Sequence, residues 1–316
     1  MPENRDPRPR RRRPLRTAVG LLVLFAVIGY FAVQRYSNGG VGAPHCTAAA
    51  SGGGEQEYEM TPEQAANAAT IAAVGISKGL PDRAVTIALA TAMQESALRN
   101  LDHGDRDSLG LFQQRPSMGW GTPEQIMDPV YSAGIFYEHL ADVPGYSRMP
   151  LTVAAQKVQR SGFPQAYAKH ESDATVLTAA FGESGTLSCA GPAPQHGDPQ
   201  KVRDELVRAF GKEVLGTGGN GAPAGRTAPG GAPEPEITLR LKQDGGPGEA
   251  RRGRALAHWA VARSHELGIA RVSYAGKGWT GGQARGEWQR KGGSGTSGNG
   301  GPEGSSADEV RIFIAR

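Results

Sequence analysis

The stretch Ala84–Leu98, AVTIALATAMQESAL, constrains this chain more than any other. Its helix-patterned apolar residues crowd too closely to face one side only, and a helix of that kind is stable only inside a core. Glu95 and Ser96 end the run, and Gln113 follows 18 positions after Glu95, within Ser108–Gln114, SLGLFQQ. A carboxylate on the flank of a buried helix is partly desolvated. Its pKa rises, and its proton survives nearer to neutral pH, which is what general-acid chemistry requires. Gly110, in the facing turn, lets backbone approach a ligand where a Cβ would intrude.

The N-terminus bounds where such a core resides. Residues 1–16 hold seven arginines against Glu3 and Asp6, a local charge of +5, and the whole chain is +4. The basic character therefore belongs to this tail, and nothing in the remainder suggests a nucleic-acid surface. Thr17–Val33 follows as 17 uncharged, mostly apolar residues, at the short end of a membrane span. The flanking arginines place the N-terminus in the cytoplasm and the body outside. The competing reading is a cleaved signal peptide, but no small-x-small site closely follows the run, since Tyr30 stands two before Ala32. The expectation is a signal anchor over 17–34, with the lipid bilayer as its partner. One span cannot form a transport path, so a transporter is excluded.

Residues 35–57 are rich in Gly and Ala and read as a flexible tether. A helix start then appears at Thr61-Pro62-Glu63-Gln64 and again at Thr122-Pro123-Glu124-Gln125: Thr caps, Pro suits the first turn, and Gln reaches back. Between 61 and 175 the pattern gives about five or six short helices and no convincing strand alternation. Cys46 and Cys189 flank this segment. Outside the membrane they are expected to form one disulfide, the alternative being two unpaired thiols. Their spacing, without a His cluster, does not suit zinc. Residues 191–235 are a Pro/Gly-rich linker with one amphipathic helix, Gln200–Gly216. Residues 236–316 read as a small α+β domain: a strand in EITLRLK, a helix over Glu249–Gly268, further strands in IARVSY, GEWQRK and DEVRIFIA, and a disordered loop at 292–306.

Glu95-Ser96, a polar loop, and Gly110-Leu111-Phe112-Gln113 together resemble the signature of the soluble lytic transglycosylase and goose-type lysozyme superfamily, with Phe112 where Met is usual. Asp128-Pro129, opening a helix over Tyr131–Leu140, is similar to the helix that follows the family's groove. The family's Ala-Tyr-Asn-Ala-Gly motif is absent from the corresponding stretch near Ala155, Gln156 and Lys157. The resemblance covers about residues 58–175. It implies a mainly α, lysozyme-like domain over 58–190, after one N-terminal transmembrane helix and before the small α+β domain. It also implies cleavage of the β-1,4 bond between N-acetylmuramic acid and N-acetylglucosamine in peptidoglycan glycan strands, without metal or cofactor.

On that resemblance Glu95 is the acid, Ser96 its helper, and Gly110, Gln113 and Gln114 line the groove. Gln113 and Gln114 read equally as loop amides. Trp120 in SMGWGT is the aromatic best placed for exposure, and Tyr131, Tyr137, Phe163 and Tyr167 are further ring candidates. Asp102, Asp105 and Asp107 form either a solvated turn or the source of a second carboxylate, which an inverting hydrolase needs to activate water. A calcium loop is disfavoured because the full ligand pattern is missing. The alternative to an enzyme is a non-catalytic glycan-binding or envelope-scaffold protein that kept the fold. The lost Tyr-Asn contacts and the extra C-terminal segment speak for it, and the retained Glu-Ser and Gly-Leu-x-Gln elements against it.

Overall fold

A computed structural model describes residue 29 and residues 42–50, 56–163, 165–182, 184–215, 234–241, 247–290 and 307–316. The basic tail and, apart from Gly29, the apolar run at 17–34 lie outside these residues, as do most of the Pro/Gly-rich linker and the loop at 292–306. Among the described residues, no helix is long and apolar enough to cross a membrane.

The helices of the first half follow from their caps and apolar faces. Helix α1 (Pro62–Ser77) starts at Thr61, whose hydroxyl accepts from the Gln64 amide while Gln64 reaches back to the Thr61 N–H. Helix α2 (Asp82–Ser96) is buried without a break from Ala84 to Met93. Around it lie α3 (Pro123–Ile126), opened by the same capping box at Thr122, α4 (Pro129–Ala141), capped by Asp128, α5 (Leu151–Gln159) and α6 (Glu171–Phe181). Thr86 on α2 and Thr178 on α6 share a buried hydrogen bond of 2.9 Å. Helix α7 (Pro199–Phe210) follows in the linker region.

The mainly α expectation is corrected by the structure: the described residues are about half helical and form two antiparallel sheets. The first has the order β2-β1-β3, built from β1 (His45–Ala50), β2 (Glu57–Met60) and β3 (Gly185–Ala190). Residues 45–50 fall within the Gly- and Ala-rich stretch expected to be a tether, yet form strand β1. What makes them a strand is register with a distant partner: Cys46 lies opposite Cys189, and the pair forms a disulfide across 143 residues.

The second sheet has the order β4-β8-β5-β6-β7: β4 (Glu236–Arg240), β5 (Ile269–Tyr274), β6 (Lys277–Thr280), β7 (Gln289–Arg290) and β8 (Glu309–Ile314). Helix α8 (Pro247–Ala262) and the short α9 (Ser264–Leu267) accompany it, with Leu256, Trp259 and Ala260 fully inside. Strand β6 lies between IARVSY and GEWQRK, where no strand is expected from the sequence.

This second sheet and its helices do not stand apart. One continuous apolar core runs from Ala48 and Ile71 through Leu89 to Trp259 and Ile312. Strand β3 is an edge strand, and its outer carbonyls are satisfied by side chains from beyond residue 250. Arg254 donates to Gly185 (3.3 Å), the Trp288 indole N–H to Leu187 (2.8 Å), and the Trp279 indole N–H to Cys189 (3.2 Å). One turn earlier, His258 Nδ1 bonds the Ala180 carbonyl near the end of α6. Buried carbonyls must be paired, and an edge strand facing a core has no water to do it. Arg263 completes the seam, pairing with Glu205 on α7 (2.9 Å) and reaching Thr70 on α1 (3.3 Å).

Candidate active site around Glu95

Glu95 occupies the last turn of α2, and the chain leaves that helix abruptly. Ala97 and Leu98 both adopt left-handed backbone, at φ 53° and 60°. Such conformations cost non-glycine residues about 1–2 kcal/mol each. Here they are held by backbone bonds to Met93 and Ala92. Two amides of α1 add to this: Gln64 donates to Ala97 O (2.9 Å) and Asn67 to Leu98 O (2.8 Å). Strain that the surroundings over-determine is a common companion of functional sites.

The segment Leu109–Gln114 is a closed loop. Leu109 and Gln114 exchange both backbone hydrogen bonds, at 2.9 and 3.0 Å. Gly110 has φ 75°, its N–H donates to Leu101 O, and a Cβ there would lie 2.7 Å from the Ile126 carbonyl. That is a physical reason for glycine at this position, and the close approach is to backbone. Leu111 and Phe112 are fully buried, Phe112 stacking on Phe136 at 4.6 Å.

Three groups tie this loop to the acid. Ser96 is buried, and its hydroxyl donates to Leu111 O (2.8 Å) and Ala92 O (3.1 Å). Gln159, the last residue of α5, donates to Phe112 O (2.7 Å) and also hydrogen-bonds the Glu95 carboxyl. Tyr167 donates its hydroxyl to Glu95 Oε1 at 2.6 Å. Tyr167 lies on a short 3-10 segment, Ala166–His170, which His170 fastens to α2 through Gln94 (3.2 Å).

Burial raises the Glu95 pKa above its ordinary value, while the hydrogen bonds from Tyr167 and Gln159 pull it partly back. No neighbouring carboxylate contributes to the shift. Burial also raises the Tyr167 pKa, and the charge of Glu95 adds to it, so Tyr167 stays a hydrogen-bond donor. The sequence offers Tyr167 only as one of several rings and gives no sign of Gln159. Neither has a local signal. The separation of 72 positions between Tyr167 and Glu95 is bridged by tertiary packing alone.

The other sequence candidates take different places. Gln114 is almost fully buried and donates to Ser132 O (3.1 Å). Gln113 is half-buried at φ 47° and braces the loop through His103 O and Gly110 O, both at 3.3 Å. Trp120 is half-buried, its ring packed 4.4 Å from that of His139 on α4. Asp107 is held well below the usual carboxylate range by Ser117 and Arg115, the latter at 2.7 Å. Exposed Asp102 is lowered by His103 beside it, and Asp105 stands 3.9 Å from Arg106. None of the three bonds Glu95.

A cleft of about 490 Å³ between α1, α4 and α7, lined by Val74, Lys78, Tyr131 and Arg208 among others, contains none of the groups around Glu95. Among the described residues, no group of three or more His, Cys, Asp or Glu side chains could hold a metal ion. No protein-family model matches this chain, and no curated protein matches it.

Proposed function

We propose that this protein cleaves peptidoglycan glycan strands at the β-1,4 bond between N-acetylmuramic acid and N-acetylglucosamine, by lytic transglycosylase chemistry at Glu95. The observation that carries the reading is the carboxyl itself: partly buried, raised in pKa, oriented by Tyr167, and without a second carboxylate acting on it. The resemblance of Glu95-Ser96 and Gly110–Gln113 to that superfamily's signature supports the same chemistry. The basic tail and the apolar run Thr17–Val33 support a membrane-held body on the outer face.

Tyr167 donates to Oε1 and Gln159 also bonds the carboxyl, so the acid is oriented before it gives up its proton. Glu95 gives that proton to the glycosidic oxygen as the bond to the muramic acid C1 breaks. The carboxylate left behind takes a proton from the C6 hydroxyl of the same sugar. The O6–C1 bond then forms, giving a 1,6-anhydro end and restoring the acid. No water enters and one carboxyl serves both steps; among the described residues no other carboxylate is one of the groups that shift Glu95. Tyr167 and Gln159 hold the charged form between the two transfers.

The test is Glu95→Gln in the full chain, kept in detergent, on purified peptidoglycan with mass spectrometry of the products. Gln accepts the Tyr167 bond but delivers no proton, and general-acid catalysis is worth about 10²–10⁴-fold. Anhydro products from the wild type that vanish in the variant fit the proposal. Reducing-end products would mean a hydrolase. Binding without any cleavage by the wild type would replace the enzyme with a glycan-binding scaffold.

A further inference from the structure

Phe163 is the most exposed large apolar side chain among the described residues, at 77%, and the other two are Met118 and Val153. An exposed aliphatic residue needs no explanation, but a phenyl ring left in water forgoes roughly 1.5–3 kcal/mol of burial. The backbone that presents this ring is not a slack tip. Arg160 ends α5 in left-handed backbone at φ 51°. Ser161 is then fixed from both sides: its carbonyl accepts from Gln156 (2.7 Å), and its hydroxyl oxygen accepts from the Phe163 N–H (3.1 Å). The Ser161 side chain also hydrogen-bonds Tyr167, the residue that holds Glu95. The ring therefore stands two residues from a serine that touches the partner of the acid.

We propose that Phe163 is the platform on which a pyranose ring of the glycan stacks, one step out from the bond at Glu95. This rests on the function proposed above and adds a specificity-determining residue to it. The chemistry selects the ligand. A hexopyranose presents polar edges and a flat face of C–H groups, and a lone aromatic face complements that surface. One ring is far too small for a protein interface, which buries on the order of 800 Å² per partner. Met118 belongs to the 3-10 turn Pro116–Met118, in another loop, and does not enlarge the patch. Half-exposed Val153 and the Gln156 that braces Ser161 are three apart on α5, so they share a helix face. The anchorage fixes the backbone that carries the ring before the sugar arrives, which lowers the ordering cost of binding.

The experiment measures binding without turnover. The full chain carrying Glu95→Gln, in detergent, is titrated with a β-1,4-linked N-acetylglucosamine hexamer and with purified glycan strands by calorimetry. Phe163→Ala, Phe163→Leu and Phe163→Trp are added to it in turn. An aromatic contact of ordinary strength corresponds to a loss of about three- to tenfold in Kd for Ala. Leu, which keeps apolar area but has no flat face, is expected to bind nearly as weakly as Ala, and Trp at least as tightly as Phe. The melting temperature is expected to stay put, because the ring packs on little. Unchanged affinity for Ala, full rescue by Leu, or a clear drop in melting temperature would each overturn the role of Phe163 and leave the function at Glu95 standing. Failure of the Glu95→Gln parent to bind either glycan would remove both.

Discussion

The disulfide gives the sharpest quantitative test of how this fold is held. It joins neighbouring strands β1 and β3 and closes a loop across 143 residues. A cross-link of that span removes chain entropy from the unfolded state worth about 5 kcal/mol at 25 °C, an upper figure that native cross-links often fall short of. Against a typical total of about 5–15 kcal/mol, its loss should be plain. Two perturbations separate its parts. Reduction leaves both sulfurs in place, so it reports loop closure. Cys46→Ala/Cys189→Ala also empties two buried positions, since Cys46 is fully buried and Cys189 only 8% exposed. The double variant is therefore expected to lose about 1–2 kcal/mol beyond the reduced protein. Urea denaturation followed by far-ultraviolet circular dichroism, with and without reductant, measures both. Expected is a fall of about 2–5 kcal/mol on reduction. A reduced protein within about 1 kcal/mol of the oxidised one would refute the reasoning. It would mean that the β1–β3 pairing and the side chains sealing β3 hold the sheet without covalent help.

Three further outcomes follow from groups around the core and the acid. Tyr167→Phe removes a hydrogen bond that lowers the Glu95 pKa, so the alkaline limb of the cleavage profile should move to higher pH as the rate falls; an unmoved limb would refute the role given to Tyr167. Burial and the charges of Arg254 and Lys277 push the His258 pKa down to about 4, against a bond to Ala180 O that pulls it up. The unfolded chain then takes up a proton below about pH 6.5 that the native state refuses, so stability is complete above that pH and falls by up to about 3 kcal/mol on the way down to pH 4. His258→Asn, neutral throughout and still able to donate to Ala180 O, should flatten this dependence in pH-resolved denaturation. Trp288→Phe keeps the ring but strands the Leu187 carbonyl, which should cost about 1–3 kcal/mol in the same assay; no loss would mean that water reaches this edge.

What the sequence revealed and what it hid divide along local and distant physics. The capping boxes at Thr61 and Thr122 are signals within four residues, and both helices start where those signals stand. The apolar run to Glu95 became the most enclosed helix because nothing but a core suits it. Strands β4 and β8 alternate and were legible, whereas β1 is Ala-rich and becomes a strand only because β3 lies beside it. At the site, Glu95 carried its own mark, but its partners did not. A tyrosine and a glutamine on other elements look like any others until the chain folds. Gln114 carried no local sign of its place: the Leu109–Gln114 pairing turns it inward to Ser132.

The two halves of the chain bear on the same carboxyl. The segment that carries Tyr167 runs straight into α6 at Glu171, α6 ends at Phe181, and β3 begins at Gly185. At its start this stretch is fixed to α2 by Tyr167 on Glu95 and His170 on Gln94. At its end it is fixed by His258, Arg254, Trp288 and Trp279 on the carbonyls of Ala180, Gly185, Leu187 and Cys189, and by Cys189 on Cys46. A hydrogen bond of 2.6 Å to an acid tolerates little drift, because a shift of even an ångström breaks it. The residues beyond 250 therefore belong to the support of the site as much as α2 does. A chain cut before them would expose the edge of β3 and loosen the helix that leads back to Tyr167. The stretch that reads as separable in sequence is the one whose indoles and imidazole seal the carbonyls of β3 and of the end of α6.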